Sequence, residues 1–130
     1  MRYEFAEDLQ EIATDISKTM FPHIDMSRVR CLRSKGTSSR GTIARCHGLN
    51  KVMQMAIGIK AVYVLEFLTE RFDRMPKEEQ IKVIIHELMH IPKAFGGGFI
   101  HHDMVNDRNV NKCYLEYKRR KNEKRDLDFL

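Results

Sequence analysis

The segment between Pro76 and Pro92 constrains the fold more than any other part of the sequence. Its apolar residues recur at helical spacing, at Ile81, Ile84, Ile85, Leu88 and Met89. This pattern predicts an amphipathic helix. Pro76 suits the first turn of that helix, whereas the ring of Pro92 would clash with the carbonyl four residues earlier if the helix continued. We therefore expect a helix that begins near Glu78 and ends near His90.

The same helix carries a pattern typical of metal ligands. His86 and His90 are four residues apart, so both imidazoles leave one face of the helix about one turn apart and can share one ion. Glu87 is rotated off that line and can reach a water beside the ion without binding the ion itself. This H-E-x-x-H arrangement places a general base beside a Lewis acid. The alternative is an ordinary helix with solvent-facing or core histidines and an unremarkable surface glutamate.

A third ligand is available across the loop that follows the helix. His101 and His102 come after the run IPKAFGGGFI, residues 91–100, whose three consecutive glycines allow sharp turns and positive φ angles. Neighbouring residues point in different directions, so we expect only one of the two histidines to bind. A catalytic zinc site needs three protein ligands and an open position for water.

The rest of the chain predicts a mixture of helices and strands. Residues 5–20 have apolar residues at spacings of three and four, at Phe5, Leu9, Ile12, Ile16 and Met20. This spacing predicts an N-terminal helix. Residues 28–32 and 42–47 alternate polar and apolar residues and are expected to pair as a hairpin, and residues 61–68 resemble a buried strand. Residues 51–59 fit either a strand or a short helix, and a last helix is expected after Asn106 or Asp107.

Length and composition favour one soluble domain over residues 1–130. The chain has 130 residues, 42% of them hydrophobic, with no internal repeat. The three cysteines, at positions 31, 46 and 113, are widely spaced and indicate free thiols in a reducing compartment. No secretion signal or membrane-spanning run is recognisable, so we expect a cytoplasmic protein without a membrane partner. The formal net charge is +5, and the basic C-terminal extension, residues 118–130, would suit either a solvated helix face or a nucleic acid partner.

The residues from about Tyr63 to Tyr117 resemble a known family. The similarity is to the core motif of phage and archaeal metallopeptidases, H-E-L-x-H-I-P followed by a phenylalanine, glycines and a histidine. This family belongs to the zincin group and is loosely related to SprT-like minimal peptidases. The resemblance implies that His86 and His90 bind the metal, that Glu87 is the base, and that His102 is the third ligand. The proline that usually precedes this last histidine is replaced by His101, which leaves the choice between the two open. The longer metzincin signature is absent.

The resemblance also implies a fold and a function. The expected fold is α+β and zincin-like, with a small mixed or antiparallel sheet packed on the N-terminal helix, the central H-E-x-x-H helix and the C-terminal helix. The expected function is that of a zinc metallopeptidase, which hydrolyses peptide bonds in a protein or peptide through a metal-activated water and a glutamate base. Residues 61–68, if they form an edge strand, would align the substrate. The oxyanion would be held by the histidine that does not bind metal, by Tyr114 or by Tyr117.

Four alternatives differ in substrate or in the kind of protein. A bacterial endoribonuclease family also has histidine-rich zinc helices, but it has glycine where this chain has Glu87. Peptide deformylases share H-E-x-x-H but take a cysteine as third ligand, for which Cys46 is the nearest candidate. A non-catalytic metal-binding module would have a closed site, usually containing cysteine. A peptidase that processes DNA-linked proteins would combine peptide hydrolysis with DNA binding, and it would use the basic C-terminus to hold the nucleic acid.

Overall fold

Four strands and five helices form along residues 1–128, the part of the chain that the computed structural model describes. The strands are β1 (Arg2–Phe5), β2 (Val29–Lys35), β3 (Ala44–Gly48) and β4 (Tyr63–Leu68). The helices are α1 (Glu7–Met20), α2 (Lys51–Ile57), α3 (Thr69–Phe72), α4 (Lys77–Met89) and α5 (Asp107–Asp128). This composition confirms the predicted α+β class.

The strands form one mixed sheet in the order β1-β2-β4-β3. β4 runs parallel to β2 and antiparallel to β3, so the predicted hairpin between residues 28–32 and 42–47 is wrong, although both segments are strands. Residues 61–68 contain a buried strand, as predicted, but this strand is not at the sheet edge, which was the condition for its role in aligning a substrate. β4 is almost entirely buried, and a strand of that composition gains most between two neighbours. The edge strand on this side of the sheet is β3.

Helices α1, α4 and α5 contact one another beneath one face of the sheet. Their buried apolar side chains meet the inward-facing side chains of the two central strands, which include Val29, Cys31, Tyr63, Leu65 and Phe67. The first residues of the chain depart from the prediction, because the N-terminal helix begins at Glu7 and not at Phe5. Residues 2–5 pair with β2 instead, and Phe5 lies exposed opposite Leu32. Backbone pairing at the sheet edge therefore prevails over the helical spacing there.

The ambiguous segment 51–59 contains a helix. Asn50 caps α2, because its side chain accepts a hydrogen bond from the Met53 backbone N–H at 2.8 Å. Gly58 ends the helix in the left-handed conformation, with φ of 80°. No residue of α2 is buried.

The last helix begins as predicted, since Asn106 accepts a hydrogen bond from the backbone N–H of Asn109 at 2.9 Å. Residues 118–128 of the basic C-terminal segment continue α5, and residues 129–130 lie outside the described residues. Part of the basic charge there is paired: Arg120 contacts Glu116 at 2.9 Å and Lys121 contacts Asp15 at 3.0 Å. None of the helices in residues 1–128 combines the length and the apolar character needed to cross a membrane.

Candidate metal centre

Helix α4 provides two of the histidines and holds them rigidly. Pro76 precedes the helix, and Glu78 and Glu79 occupy its first turn, where negative charge is favourable. Its buried face packs Ile84, Ile85 and Leu88 into the core. The helix ends at Met89, and His90, near which the sequence predicted the end, is its C-cap. The opposite side of the same turn presents His86 and His90.

Three histidines converge at the end of this helix. The potential ligand nitrogens of His86, His90 and His102 all lie within 4.8 Å of one another. The ring centroids are 5.0 Å apart for His86 and His90, 5.5 Å for His86 and His102, and 4.8 Å for His90 and His102. The imidazoles therefore form a compact triangle that could hold one metal ion.

The His90 ring is fixed by the loop that returns to it. Its Nδ1 donates a hydrogen bond to the carbonyl of Ile100 at 2.6 Å, and the Ile100 backbone N–H donates to the carbonyl of His90 at 2.8 Å. This assignment leaves Nε2 without a proton and available to a metal. Phe99 stacks on the same ring, with centroids 4.1 Å apart and planes 15° from parallel. These contacts restrict the ring to one orientation.

Two residues from other elements hold the glycine-rich part of the loop. The hydroxyl of Tyr63 accepts a hydrogen bond from the Gly97 backbone N–H at 2.9 Å and donates one to the Gly98 carbonyl at 2.8 Å. Gln54 donates to the carbonyl of Gly96 at 3.0 Å. Sequence reasoning missed both residues, because they lie about 35 to 42 positions from the loop and neither belongs to the histidine motif.

Gly97 is required by the close approach of this loop to the chain after β3. Its φ is 96°, and a Cβ atom there would lie 2.2 Å from the carbonyl oxygen of Leu49. No side chain fits at that distance, whereas glycine adopts the positive φ without strain. The prediction that the glycines allow the loop to turn back is therefore met by a specific backbone contact.

Glu87 lies beside the histidines at the wall of a cleft of about 530 Å³. Only 5% of the residue is exposed, and burial raises the pKa of its carboxyl to about 7. Burial likewise lowers the pKa of His86 and brings that of His90 to about 4. Both imidazoles are therefore neutral near physiological pH, which is the form that binds metals.

The sequence profile of a family described as "Putative phage metallopeptidase" matches residues 1–124. The chain belongs to this family. No curated protein and no solved structure is significantly similar to it. The resemblance inferred from residues 63–117 is thus confirmed, and the match reaches over nearly the whole chain. Membership indicates a metal-dependent peptidase, and the histidine triangle is the group in residues 1–128 that could bind its metal ion.

Other residues that the sequence offered as metal ligands lie outside the histidine triangle. His101 is exposed and contacts the outer side of Phe99, with ring centroids 5.4 Å apart, and it does not join the triangle. Cys46 is near Glu87 but is likewise outside the group, and burial, with the Glu87 charge, raises its pKa to about 12. The triangle therefore contains no thiol.

The two tyrosines considered for the oxyanion do not line the cleft. Tyr114 is buried under the ammonium of Lys82, which lies 5.2 Å from its ring centroid. Tyr117 donates its hydroxyl proton to Asp15, on the α1 side of the last helix. Both contacts are those of packing residues.

Proposed function

We propose that the chain is a zinc-dependent peptidase in which His86, His90 and His102 bind the ion and Glu87 is the general base. The observation that carries the proposal is the convergence of three imidazoles beside the buried carboxyl group of Glu87 at the wall of a cleft. Three histidine nitrogens are a donor set that suits Zn²⁺ and leaves a fourth position for water. The family membership supports a metal-dependent peptidase and leaves the identity of the metal to experiment.

Two further observations support metal binding by these histidines. His90 has its Nδ1 occupied by the Ile100 carbonyl, the kind of outer contact that fixes a ligand's tautomer and orientation. The low pKa of both helical histidines means that no proton must be displaced near neutral pH. When bound, zinc supplies Lewis acidity, which lowers the pKa of water from about 15.7 to about 7 and polarises a carbonyl.

Glu87 supplies the proton transfers. Its carboxylate would take a proton from the attacking water and pass it to the amide nitrogen that leaves. Burial removes competing solvent from this carboxylate, so the proton it accepts is retained for the second transfer. Because Glu87 is on the rigid helix that also carries His86 and His90, its position relative to the site does not depend on the loop.

The edge of β3 is the element that could align a peptide. Ala44, its first residue, and Ile43, just before it, line the cleft that also contains Glu87, and α4 contacts the strand. An extended chain can pair with a free strand edge through backbone hydrogen bonds. This assigns to β3 the alignment role that the sequence had suggested for residues 61–68.

Zinc content and hydrolysis should be measured on purified wild type and on three variants. Glu87→Gln should keep about one zinc per chain yet hydrolyse fluorescein-labelled casein at least about 100-fold more slowly, because loss of a general base typically costs 10²–10⁴ in rate. EDTA should abolish wild-type hydrolysis and added zinc should restore it. His102→Ala should weaken zinc binding far more than the neighbouring His101→Ala, which is the matched control.

Two results would contradict the assignment. Casein hydrolysis by Glu87→Gln at the wild-type rate would remove the general-base role. A larger loss of zinc affinity in His101→Ala than in His102→Ala would reassign the third ligand.

A further inference from the structure

Helix α2 and the residues that follow it expose an unusual set of large apolar side chains. Five of them are between 44% and 85% exposed, namely Val52, Met53, Met55, Ile57 and Ile59. We call these five residues the α2 surface. Single exposed apolar residues are common, but five within the eight residues 52–59 are an unusual concentration, and concentrations of exposed apolar side chains mark interaction sites.

The helix is held in place by polar contacts and not by burial of an apolar face. Asn50 caps its first turn at 2.8 Å, and Gln54, its one half-buried residue, donates to the carbonyls of Leu49 at 2.7 Å and Gly96 at 3.0 Å. A seven-residue helix is marginal by itself. Its apolar side chains thus contribute little to the fold, and they remain free to contact something else.

The α2 surface lies at one end of the strand whose other end lines the cleft. β3 has five residues, which span roughly 13 Å at about 3.3 Å per residue. The cleft and Glu87 lie beside Ala44 at the start of the strand, and α2 begins three residues after its end at Gly48. An extended segment of about four to six residues paired with the β3 edge would therefore reach from the cleft to the α2 surface.

We propose that the α2 surface binds apolar segments of an unfolded polypeptide whose neighbouring residues are paired along β3. This proposal rests on the proposed function and names its substrate class. An edge strand accepts only extended chain, which folded proteins rarely offer. Methionine side chains are flexible and polarisable, so they can fit apolar side chains of many shapes. The surface would thus supply affinity without requiring one sequence.

The charge around the surface narrows the substrate further. Residues 48–62 contain Lys51 and Lys60 and no acidic residue, and both lysines are exposed. Apolar segments flanked by acidic residues should therefore bind better than those flanked by basic residues.

Binding is tested on Glu87→Gln, which keeps the site but does not consume the probe. The probe is fluorescein-labelled, reduced and carboxymethylated α-lactalbumin, a permanently unfolded and acidic polypeptide, and native α-lactalbumin is the folded comparison. Adding Val52→Ser and Met55→Ser, the two most exposed positions of the surface, should weaken binding at least tenfold, or about 1.4 kcal/mol. The matched control adds Leu115→Ser and Leu127→Ser, two apolar positions on α5 that are 67% and 68% exposed, and should leave affinity unchanged.

Activity provides the second measurement. In the zinc-loaded enzyme, Val52→Ser with Met55→Ser should raise KM for the unfolded protein at unchanged kcat, and should not affect cleavage of a short peptide that spans only the cleft. Unchanged binding of the unfolded probe would overturn the proposal. Two other results would also overturn it. In the first, Val52→Ser with Met55→Ser would weaken binding to phosphatidylcholine–phosphatidylserine vesicles and leave binding of the probe unchanged. In the second, the two substitutions would convert a dimer to a monomer in sedimentation and have no other effect. A third result would separate the two proposals. If the zinc-loaded wild type cleaved no substrate, while Val52→Ser with Met55→Ser still weakened binding of the probe, the binding role of the α2 surface would be retained and the proposed hydrolysis would be wrong.

Discussion

Replacing Tyr63 by phenylalanine removes one oxygen atom and tests how the glycine-rich loop between α4 and His102 is held in place. That hydroxyl bonds both the Gly97 backbone N–H and the Gly98 carbonyl, and the loop containing these glycines leads to His102. The ring itself is 1% exposed and would keep its packing, including its edge contact with Phe95 at 5.0 Å between centroids. The change therefore isolates two hydrogen bonds without creating a cavity.

The expected loss of unfolding free energy follows from these two hydrogen bonds. Each net hydrogen bond contributes about 0.5–1.5 kcal/mol, and a polar group left without a partner costs more when buried. The backbone of Gly97 is only half-buried, so water can replace part of the loss. We expect the free energy of unfolding of the metal-free protein to fall by about 1–2 kcal/mol. Zinc affinity should fall about tenfold, because the segment that carries His102 must then be ordered when the ion binds.

Urea denaturation of the metal-free protein gives the first quantity, and competition with a chromophoric zinc chelator gives the second. Tyr3→Phe is the matched control, because Tyr3 is 62% exposed on β1; it should change the free energy of unfolding by less than about 0.5 kcal/mol. The reasoning would be refuted if Tyr63→Phe showed the expected loss of stability but still bound zinc with the affinity of the wild type. The loop would then be positioned by something other than this hydroxyl.

Two further predictions concern stability. Gly97→Ala and Gly58→Ala place a side chain at similar positive φ, 96° and 80°, but of these two glycines only Gly97 is packed against backbone. Urea denaturation should therefore show a loss of unfolding free energy of about 1–2 kcal/mol for Gly58→Ala and a clearly larger loss for Gly97→Ala. Equal losses would mean that the close contact at Gly97 relaxes freely. Burial opposes ionisation of Asp15, but hydrogen bonds from Tyr117 and Lys121 outweigh it and hold its pKa below 3.8. Its ionised form therefore stabilises the fold above pH 3.8, and this stabilisation is lost as the pH falls through the lowered pKa. The wild type should accordingly exceed Asp15→Asn in stability near neutral pH and approach it in acid, and a difference that did not change with pH would contradict this.

The elements that the sequence predicted correctly are those whose signals are local. Helix α4 follows from apolar spacing, from the proline on either side and from acidic residues in its first turn. Asn106 caps the last helix as its side-chain chemistry predicts. The prediction for residues 5–20 was wrong only at its beginning, where pairing of residues 2–5 with β2 prevails over helical spacing.

The candidate site was predictable in part for the same reason. His86, Glu87 and His90 lie on one helix, so their relative directions are fixed by helical geometry alone. The preference for His102 over His101 came from the family pattern, and it is now supported by the triangle of rings; its ligand role stays a prediction until zinc binding is measured. Nucleic acid binding by the basic residues of α5 likewise remains untested.

Three features could be read from the sequence alone, namely helix α4, the spacing of the first two histidines and the carboxylate between them, because these depend on contacts within a few residues. The strand order, with β3 at the edge, became known only from the folded chain. The same holds for the contacts of Tyr63 and Gln54 with the loop that leads to His102. Strand partners are chosen by burial summed over the whole sheet, and β4 takes the centre because its side chains are almost all buried there. Contacts between residues distant in sequence leave no periodic or spacing signal, and the loop that carries His102 is positioned by such contacts.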